Sequence, residues 1–496
     1  MKARIFYKNN IFNIKTYIVK YERGFMNSDY NEYVGQITAT AIGDIDEAPE
    51  FIQNIFGSLG IGKKEKDRFI KKYLGIKSSG DSIRTHKRYP RTFYKAISLA
   101  IEDLLGRAKN IEKTESEQSY GGPISYSLDE GESISEDAMF GGIFDINGKT
   151  IRAVIESATP NQPGIIIMGP HGTSGGNYIS FSVYTRKEDR RHVLSIFDIV
   201  NQYVEDKNPL KGKIINIYGE EEHFGNYDWN DIAIPDYFKQ EVEENVIWPV
   251  KYHDKIEAAN LRVQRGLMLE GERGMGKTLL SKIVANKIKG DGNFIKAKPS
   301  DIHRLGWNYV FEIAKTLTKS GKTSVLYIED IETLAPSKHI FGIMQQSLTD
   351  LLDYLDGTEN RGNVIILTST NVPESVELSL IDRPGRIDRR LVFDPKNKDF
   401  GLAWKKEVFE IHLRGHKLDE RLSTDKLANM IVDHPYTGSH IEELIHTATL
   451  EALRRMGIED MKIERIKDKI YLTEEDFKKA IKRVERLIKV QGPEIG

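Results

Sequence analysis

From residue 27 to 115 the chain reads as polar and mostly helical, with helices predicted over 48–56 and 94–107. Within this stretch, Lys63-Lys64-Glu65-Lys66 reads as a solvated face. Residues 113–140 are rich in Ser, Glu and Gly, and predict a linker or mobile loop. The pattern then changes. Residues 150–155, 164–168 and 178–184 read as strands, by alternation or as short apolar runs between glycines. Val193, Phe197, Val200 and Val204 mark one helix face, and residues 213–217 form another short apolar run. Together, 141–222 predict an α+β recognition module. Residues 231–395 alternate strands with helices, the pattern of a parallel sheet with crossover helices. Residues 396–490 read as helices alone. Thr473 and Asp476 form a capping box there, ahead of an apolar face made by Phe477, Ile481, Val484 and Ile488.

The first 25 residues are basic and poorly patterned, and Glu22-Arg23-Gly24-Phe25 precede Met26. Codons for Glu-Arg-Gly can spell a purine-rich ribosome-binding site, so one expectation is that translation begins at Met26. The other is a short N-terminal strand and tail. Residues 1–112 as a whole predict an N-terminal, mostly helical region.

Length and composition narrow the class. A chain of 496 residues exceeds one compact core and predicts several domains. Hydrophobic content of 39% and charged content of 29% are ordinary for a globular protein. Lys+Arg of 72 against Asp+Glu of 74 gives a net charge of -2, without the basic footprint of a general nucleic-acid binder. Cysteine is absent, which excludes disulfides, thiolate catalysis and Cys-ligated metals. No apolar run approaches a membrane span, and the N-terminus makes a poor secretory signal, so a cytoplasmic protein without a membrane partner is expected.

The chemistry concentrates after residue 266. Leu267-Met268-Leu269-Glu270 reads as a strand, Gly271-Glu272-Arg273-Gly274-Met275-Gly276-Lys277-Thr278 as a loop, and Leu279 opens a helix. This is G-x4-G-K-T in a strand–loop–helix setting. Glycines let backbone N–H groups wrap phosphates, and the helix N-terminus favours anions. Lys277 is placed to reach the β- and γ-phosphates of ATP, and the Thr278 hydroxyl to bind Mg²⁺. Gly169-Pro170-His171-Gly172-Thr173-Ser174-Gly175-Gly176 has no such lysine and reads as a hairpin loop.

Three further segments follow. Residues 324–328 form an apolar strand ending in Glu329-Asp330. Acidic groups there lie where ligands bind in open α/β sheets. One carboxylate can hold Mg²⁺ and the other can orient and deprotonate a water. Residues 364–370 form another strand, ending at Asn371, which can contact a γ-phosphate or the attacking water. Asp382-Arg383-Pro384-Gly385-Arg386-Ile387-Asp388 places two guanidiniums in a turn, suited to a γ-phosphate. A basic surface loop is the plainer reading of that turn.

In this order the four segments resemble the AAA family of P-loop ATPases, over about half of the chain. The resemblance implies an α/β nucleotide-binding domain with a parallel sheet, a small C-terminal helical lid domain, and an N-terminal helical plus α+β region in front. It implies a homo-oligomeric ring, most often a hexamer, with ATP and Mg²⁺ bound at subunit interfaces. The ATP-binding residues would be Gly271, Glu272, Arg273, Gly274, Met275, Gly276, Lys277, Thr278 and Leu279. Asn371 matches the sensor-1 position, and Arg383 and Arg386 match arginines that act in trans. Residues 436–440 match the start of the helix that closes over nucleotide.

Two departures matter. The acidic pair is Glu329-Asp330 where Asp-Glu is usual, an order shared with the Bcs1-like branch. By position, Glu329 with Thr278 would serve the metal and Asp330 the water. Adjacent residues point to opposite faces, so simple exchange of roles is not expected, and turnover is expected to be slow. Residues 299–307 also run almost directly into the next helix, where threading members carry an aromatic pore loop. Trp307 is left as either a pore aromatic or a core side chain.

The resulting expectation is an ATP-hydrolysing machine that remodels, unfolds or disassembles a protein client, recognised directly or through an adaptor by the N-terminal module. The alternatives are a nucleic-acid-associated loader, against which the balanced charge argues, and a nucleotide-gated scaffold with slow turnover.

Overall fold

The computed structural model describes residues 2–11, 14–22, 36–42, 68–115, 138–146, 149–158, 178–334, 343–355, 362–376, 386–457 and 470–490, apart from a few single positions. The chain divides into two compact units, Met1–Tyr203 and Val204–Gly496. The expected helix over 48–56, the strand over 164–168, the glycine loop over 169–176 and most of the linker lie outside the described residues.

The first unit holds two antiparallel sheets. Strands β1 (Lys2–Ile11), β2 (Ile14–Glu22) and β3 (Gln36–Ile42) form one, in that order. The other contains β4 (Ser82–Pro90), β5 (Ala108–Glu115), β6 (Ala138–Ile146), β7 (Lys149–Ala158) and β8 (Tyr178–Arg186), in the order β4-β8-β7-β6-β5. Helix α1 (Tyr94–Gly106) buries Ile97, Ala100, Ile101 and Leu104. Helix α2 (Arg190–Glu205) buries the predicted Val193, Phe197 and Val200, with Phe197 edge-on to Phe181 of β8 at 5.5 Å.

This corrects the mostly helical reading of residues 27–115. β3, β4 and β5 fall in that stretch, and β4 and β5 are the two edges of their sheet. Arg84, His86, Lys87 and Arg88 of β4 are all exposed. An edge strand carrying charge on successive residues shows no apolar alternation, so its period is hidden in sequence.

The second unit is built on a six-stranded sheet. Its strands are β9 (Ile214–Asn216), β10 (Gly266–Gly271), β11 (Asn293–Ala297), β12 (Ser324–Ile328), β13 (Val364–Thr370) and β14 (Arg389–Phe393). The order is β14-β10-β13-β12-β11-β9, and every pairing is parallel. Near-continuous burial of β10, β12 and β13 explains their unbroken apolar runs. Here too a correction is needed. The strand expected over 213–217 pairs with β11, Ile214 opposite Phe294, and so belongs to this sheet and not to the α+β module. A short apolar run announces a buried strand but not its neighbour.

The crossover helices include α3 (Lys277–Ile288), the seven-residue α4 (Pro299–Leu305), α5 (Trp307–Thr318) and α6 (Ile343–Leu355). The C-terminal helices are α7 (Leu402–His412), α8 (Thr424–Met430), α9 (Gly438–Arg455) and α10 (Glu474–Val490). A two-residue parallel pairing, β15 (Lys417–Leu418) with β16 (Tyr471–Leu472), adds to the helices expected there. Thr473 caps α10 as predicted: its N–H donates to Asp476 Oδ2 at 2.9 Å, and Asp476 N–H donates back to Thr473 Oγ at 3.3 Å. One hydrophobic cluster runs from Leu267, Leu269 and Val325 of the sheet to Trp404, Phe409 and Phe477 of these helices. The helical segment therefore shares its core with the sheet.

Candidate functional site

The parallel sheet brings the expected residues together. β13 lies between β10 and β12, and all three run the same way. The loop after β10, Asn371 after β13 and Glu329-Asp330 after β12 therefore emerge side by side at the carboxyl ends. They border a cleft of ≈ 520 Å³.

The loop from Gly271 to Thr278 is fixed by close approaches that only glycine permits. Gly274 has φ +82, and a Cβ there would lie 1.6 Å from Ser439 Oγ of α9. Gly276, at φ +94, caps α3 in the left-handed region, and Lys277 is the first helical residue. Met275 turns inward and is buried in the core, while Glu272, Arg273 and Thr278 are exposed. The Lys277 ammonium folds back to donate to the carbonyl of Glu272 at 2.8 Å and to that of Gly271. Burial pushes its pKa down to about 8, against the opposing pull of Asp330 and Glu332.

The two acidic residues diverge. Glu329 leans toward β11, where Lys296 Nζ lies 3.6 Å from its carboxylate, and the Tyr327 hydroxyl donates to it at 3.4 Å. Burial raises the Tyr327 phenol to about 12, so it stays protonated as a donor. Asp330 turns the other way. Its backbone is left-handed, φ 48, and its Oδ1 accepts from Asn371 Nδ2 at 2.8 Å. A left-handed non-glycine residue costs roughly 1–2 kcal/mol, and here it aims the carboxylate at Asn371. Asn371 N–H donates to Glu332 Oε1 at 3.3 Å, so the residue is held by a carboxylate at its backbone as well as at its side chain.

Part of the cleft wall went unseen in sequence. Trp404, Val408, Ile411 and His412 line it from α7, and Ile232 and Ala233 from the segment between β9 and β10. The Trp404 indole N–H donates to the Ala233 carbonyl at 2.8 Å. The i, i+4, i+7, i+8 spacing on α7 was the available signal, but it reads equally as a core face. At the start of α9, Ser439 N–H donates to the Gly274 carbonyl at 3.1 Å, so the expected closing helix touches the glycine loop directly.

Arg383 lies outside the described residues. Arg386 does not project from a surface turn: it is 5% exposed within one chain. A Cβ on Gly266, at the start of β10, would lie 2.1 Å from the Arg386 carbonyl. The arginine backbone thus sits at the opposite end of β10 from the glycine loop, roughly 16 Å away at the usual rise per strand residue. Trp307 is 1% exposed and its ring lies 5.7 Å from that of Phe311, so it is a core side chain and the pore-aromatic reading is overturned.

The donor set suits Mg²⁺-nucleotide. A hydroxyl at Thr278 and carboxylates at Glu329 and Asp330 border the same cleft as the glycine loop, the combination that holds a metal partly through phosphate oxygens.

Residues 267–395 match the model of the family described as "ATPase family associated with various cellular activities (AAA)". The chain carries an AAA ATPase domain. A cell division cycle protein 48 homolog of Archaeoglobus fulgidus is 32% identical over 52% of this chain and 35% of its own length. A 26S proteasome regulatory subunit 4 homolog of Saccharomyces cerevisiae is 30% identical over 49% of this chain and 53% of its own. The proteasome-activating nucleotidase of Methanocaldococcus jannaschii is 28% identical over 54% of this chain and 60% of its own. The chain thus spans between about a third and three-fifths of the length of these relatives. Among the described residues, no helix is long and apolar enough to cross a membrane.

Proposed function

We propose that the chain is an ATP-driven machine of the AAA type, assembled as a homo-oligomeric ring, in the simplest case a hexamer in the cytoplasm, that remodels, unfolds or disassembles a protein client. The observation that supports this best is the convergence of Lys277, Asp330 and Asn371 on one cleft beside a helix that contacts the glycine loop. The relatives' names, a proteasome regulatory subunit and a proteasome-activating nucleotidase among them, favour a protein client over a nucleic acid.

In this reading Gly271 to Leu279 hold ATP, and Thr278 with Glu329 holds Mg²⁺. When bound, the metal neutralises charge on the phosphates. Lys277 exchanges its backbone carbonyls for phosphate oxygens. Asp330, oriented by Asn371, aligns the attacking water and takes its proton. The place of Arg386, at the far end of β10 from its own glycine loop, favours action on a neighbouring subunit's nucleotide; in this reading its side chain, buried in a single chain, turns outward on assembly. Arg383 would act with it. The N-terminal unit recognises the client or an adaptor. With Trp307 buried and a single residue between α4 and α5, the client is held by other means than an aromatic pore loop at that place.

The test is a mixing experiment. Arg386→Ala protein should bind ATP and fail to hydrolyse it, and Lys277→Ala protein should fail to bind it. Mixed rings of the two should regain hydrolysis. Mixed rings proven by mass and still inactive would overturn the interface reading.

A further inference from the structure

Glu270 is the next-to-last residue of β10, bonded directly to Gly271 at the start of the glycine loop, and its carboxylate is only 2% exposed. Arg390 of β14 meets it with a two-pronged contact, Nε to Oε1 and Nη2 to Oε2, the latter at 2.7 Å. The register explains the reach. Arg390 stands opposite Met268, and Glu270 opposite Val392, so both side chains lie on one face and Arg390 spans one pleat along the strand. Arg390 is also four residues downstream of Arg386, and Ile387 and Asp388 are all that separate Arg386 from β14. Burying a carboxylate at this point carries a desolvation cost that an apolar residue would avoid, and Leu267 and Leu269 of the same strand are apolar and buried. The pair therefore calls for a reason beyond packing.

We propose that Glu270 and Arg390 are positioning residues: a strut that ties the strand leaving the Arg386 segment to the base of the glycine loop of the same subunit. A phosphate entering the loop draws Lys277 away from the Gly271 and Glu272 carbonyls. The resulting shift at Gly271 reaches Glu270 through one peptide bond and Arg390 through two hydrogen bonds. β14 then carries it back to Arg386. Nucleotide state in one subunit thereby sets the arginine that the subunit offers its neighbour. A two-pronged contact suits this task because it fixes direction as well as distance. The inference rests on the ATPase reading above.

The test replaces the pair with apolar side chains of similar size, Glu270→Leu with Arg390→Met. Glu270 is buried and Arg390 is 46% exposed, so the exchange removes the desolvation cost of the buried carboxylate with little loss of packing at Arg390, and the fold is expected to hold. The expected result is a ring that melts no lower than wild type and binds ADP within threefold of it, while kcat falls at least tenfold. Arg390→Lys, which keeps the charge and loses the fork, should fall between. If the double variant fails to fold, Glu270→Gln, which keeps the shape and loses the charge, carries the same test with the same expected loss. A folded variant whose kcat stays within twofold of wild type overturns the strut alone. A wild-type ring that does not hydrolyse ATP overturns the ATPase reading, and the strut with it.

Discussion

Asn371 Nδ2 donates to Asp330 Oδ1 at 2.8 Å, which joins the polar end of β13 to the acidic end of β12. The carboxylate is thereby held on the side of its strand away from Lys296 and Glu329. A water positioned by Asp330 is then also within the reach of Asn371. Asn371→Ala removes one oriented donor, and losses of about 10²-fold in kcat are usual for such groups. ATP affinity, read by titration with a fluorescent analogue, should change less than threefold. A parallel loss of affinity and turnover would mean that Asn371 only supports the fold of the cleft.

Lys277 gives the site a pH dependence. At a pKa of about 8 it is charged at pH 7 and half neutral at pH 8. Phosphate binds the charged form. ATP affinity should therefore hold between pH 6.5 and 7.5 and fall as pH rises through 8, by up to roughly tenfold per unit. Lys277→Arg, charged throughout, should flatten the profile even if it binds more weakly. Affinity that rises above pH 8 would contradict burial of the lysine as its cause.

Gly274 joins the glycine loop to the start of α9. Its φ is +82, and a Cβ would collide with Ser439 Oγ at 1.6 Å and approach Thr437 Oγ1 at 2.9 Å. Gly274→Ala should weaken ADP binding at least tenfold, since both the left-handed backbone and the contact with the closing helix are disturbed, at about 1–3 kcal/mol for strain of this kind. Ser439→Gly should restore part of the binding by opening the collision. No restoration would locate the whole cost in the backbone conformation.

The parts of the fold that were legible in sequence are those encoded locally. The glycine loop, the acidic pair, Asn371 and the cap at Thr473 each occupy a few consecutive residues whose types are dictated by their own geometry. The assignments that failed depend on distant neighbours. Nothing within 213–217 says that Ile214 pairs with Phe294. The exposed charges of β4 conceal an edge strand, and the same apolar spacing that buries Val193 of α2 places Val408 of α7 at the cleft. Trp307 was ambiguous for a similar reason: whether an aromatic after a glycine faces solvent or core depends on what lies above it, and here Phe311 does. The Pro and Gly beside Arg386 suggest a surface turn and a projecting side chain, whereas its carbonyl rests against Gly266 and its side chain is covered within the chain.

The most direct measurement of the central claim is single-turnover hydrolysis of Mg²⁺-ATP by Asp330→Asn beside wild type, with bound nucleotide measured in the same samples. Wild type is expected to release phosphate, and the variant to retain ATP with near wild-type affinity and to cleave it at least about 10²-fold more slowly. Equal cleavage rates in the two proteins would contradict it.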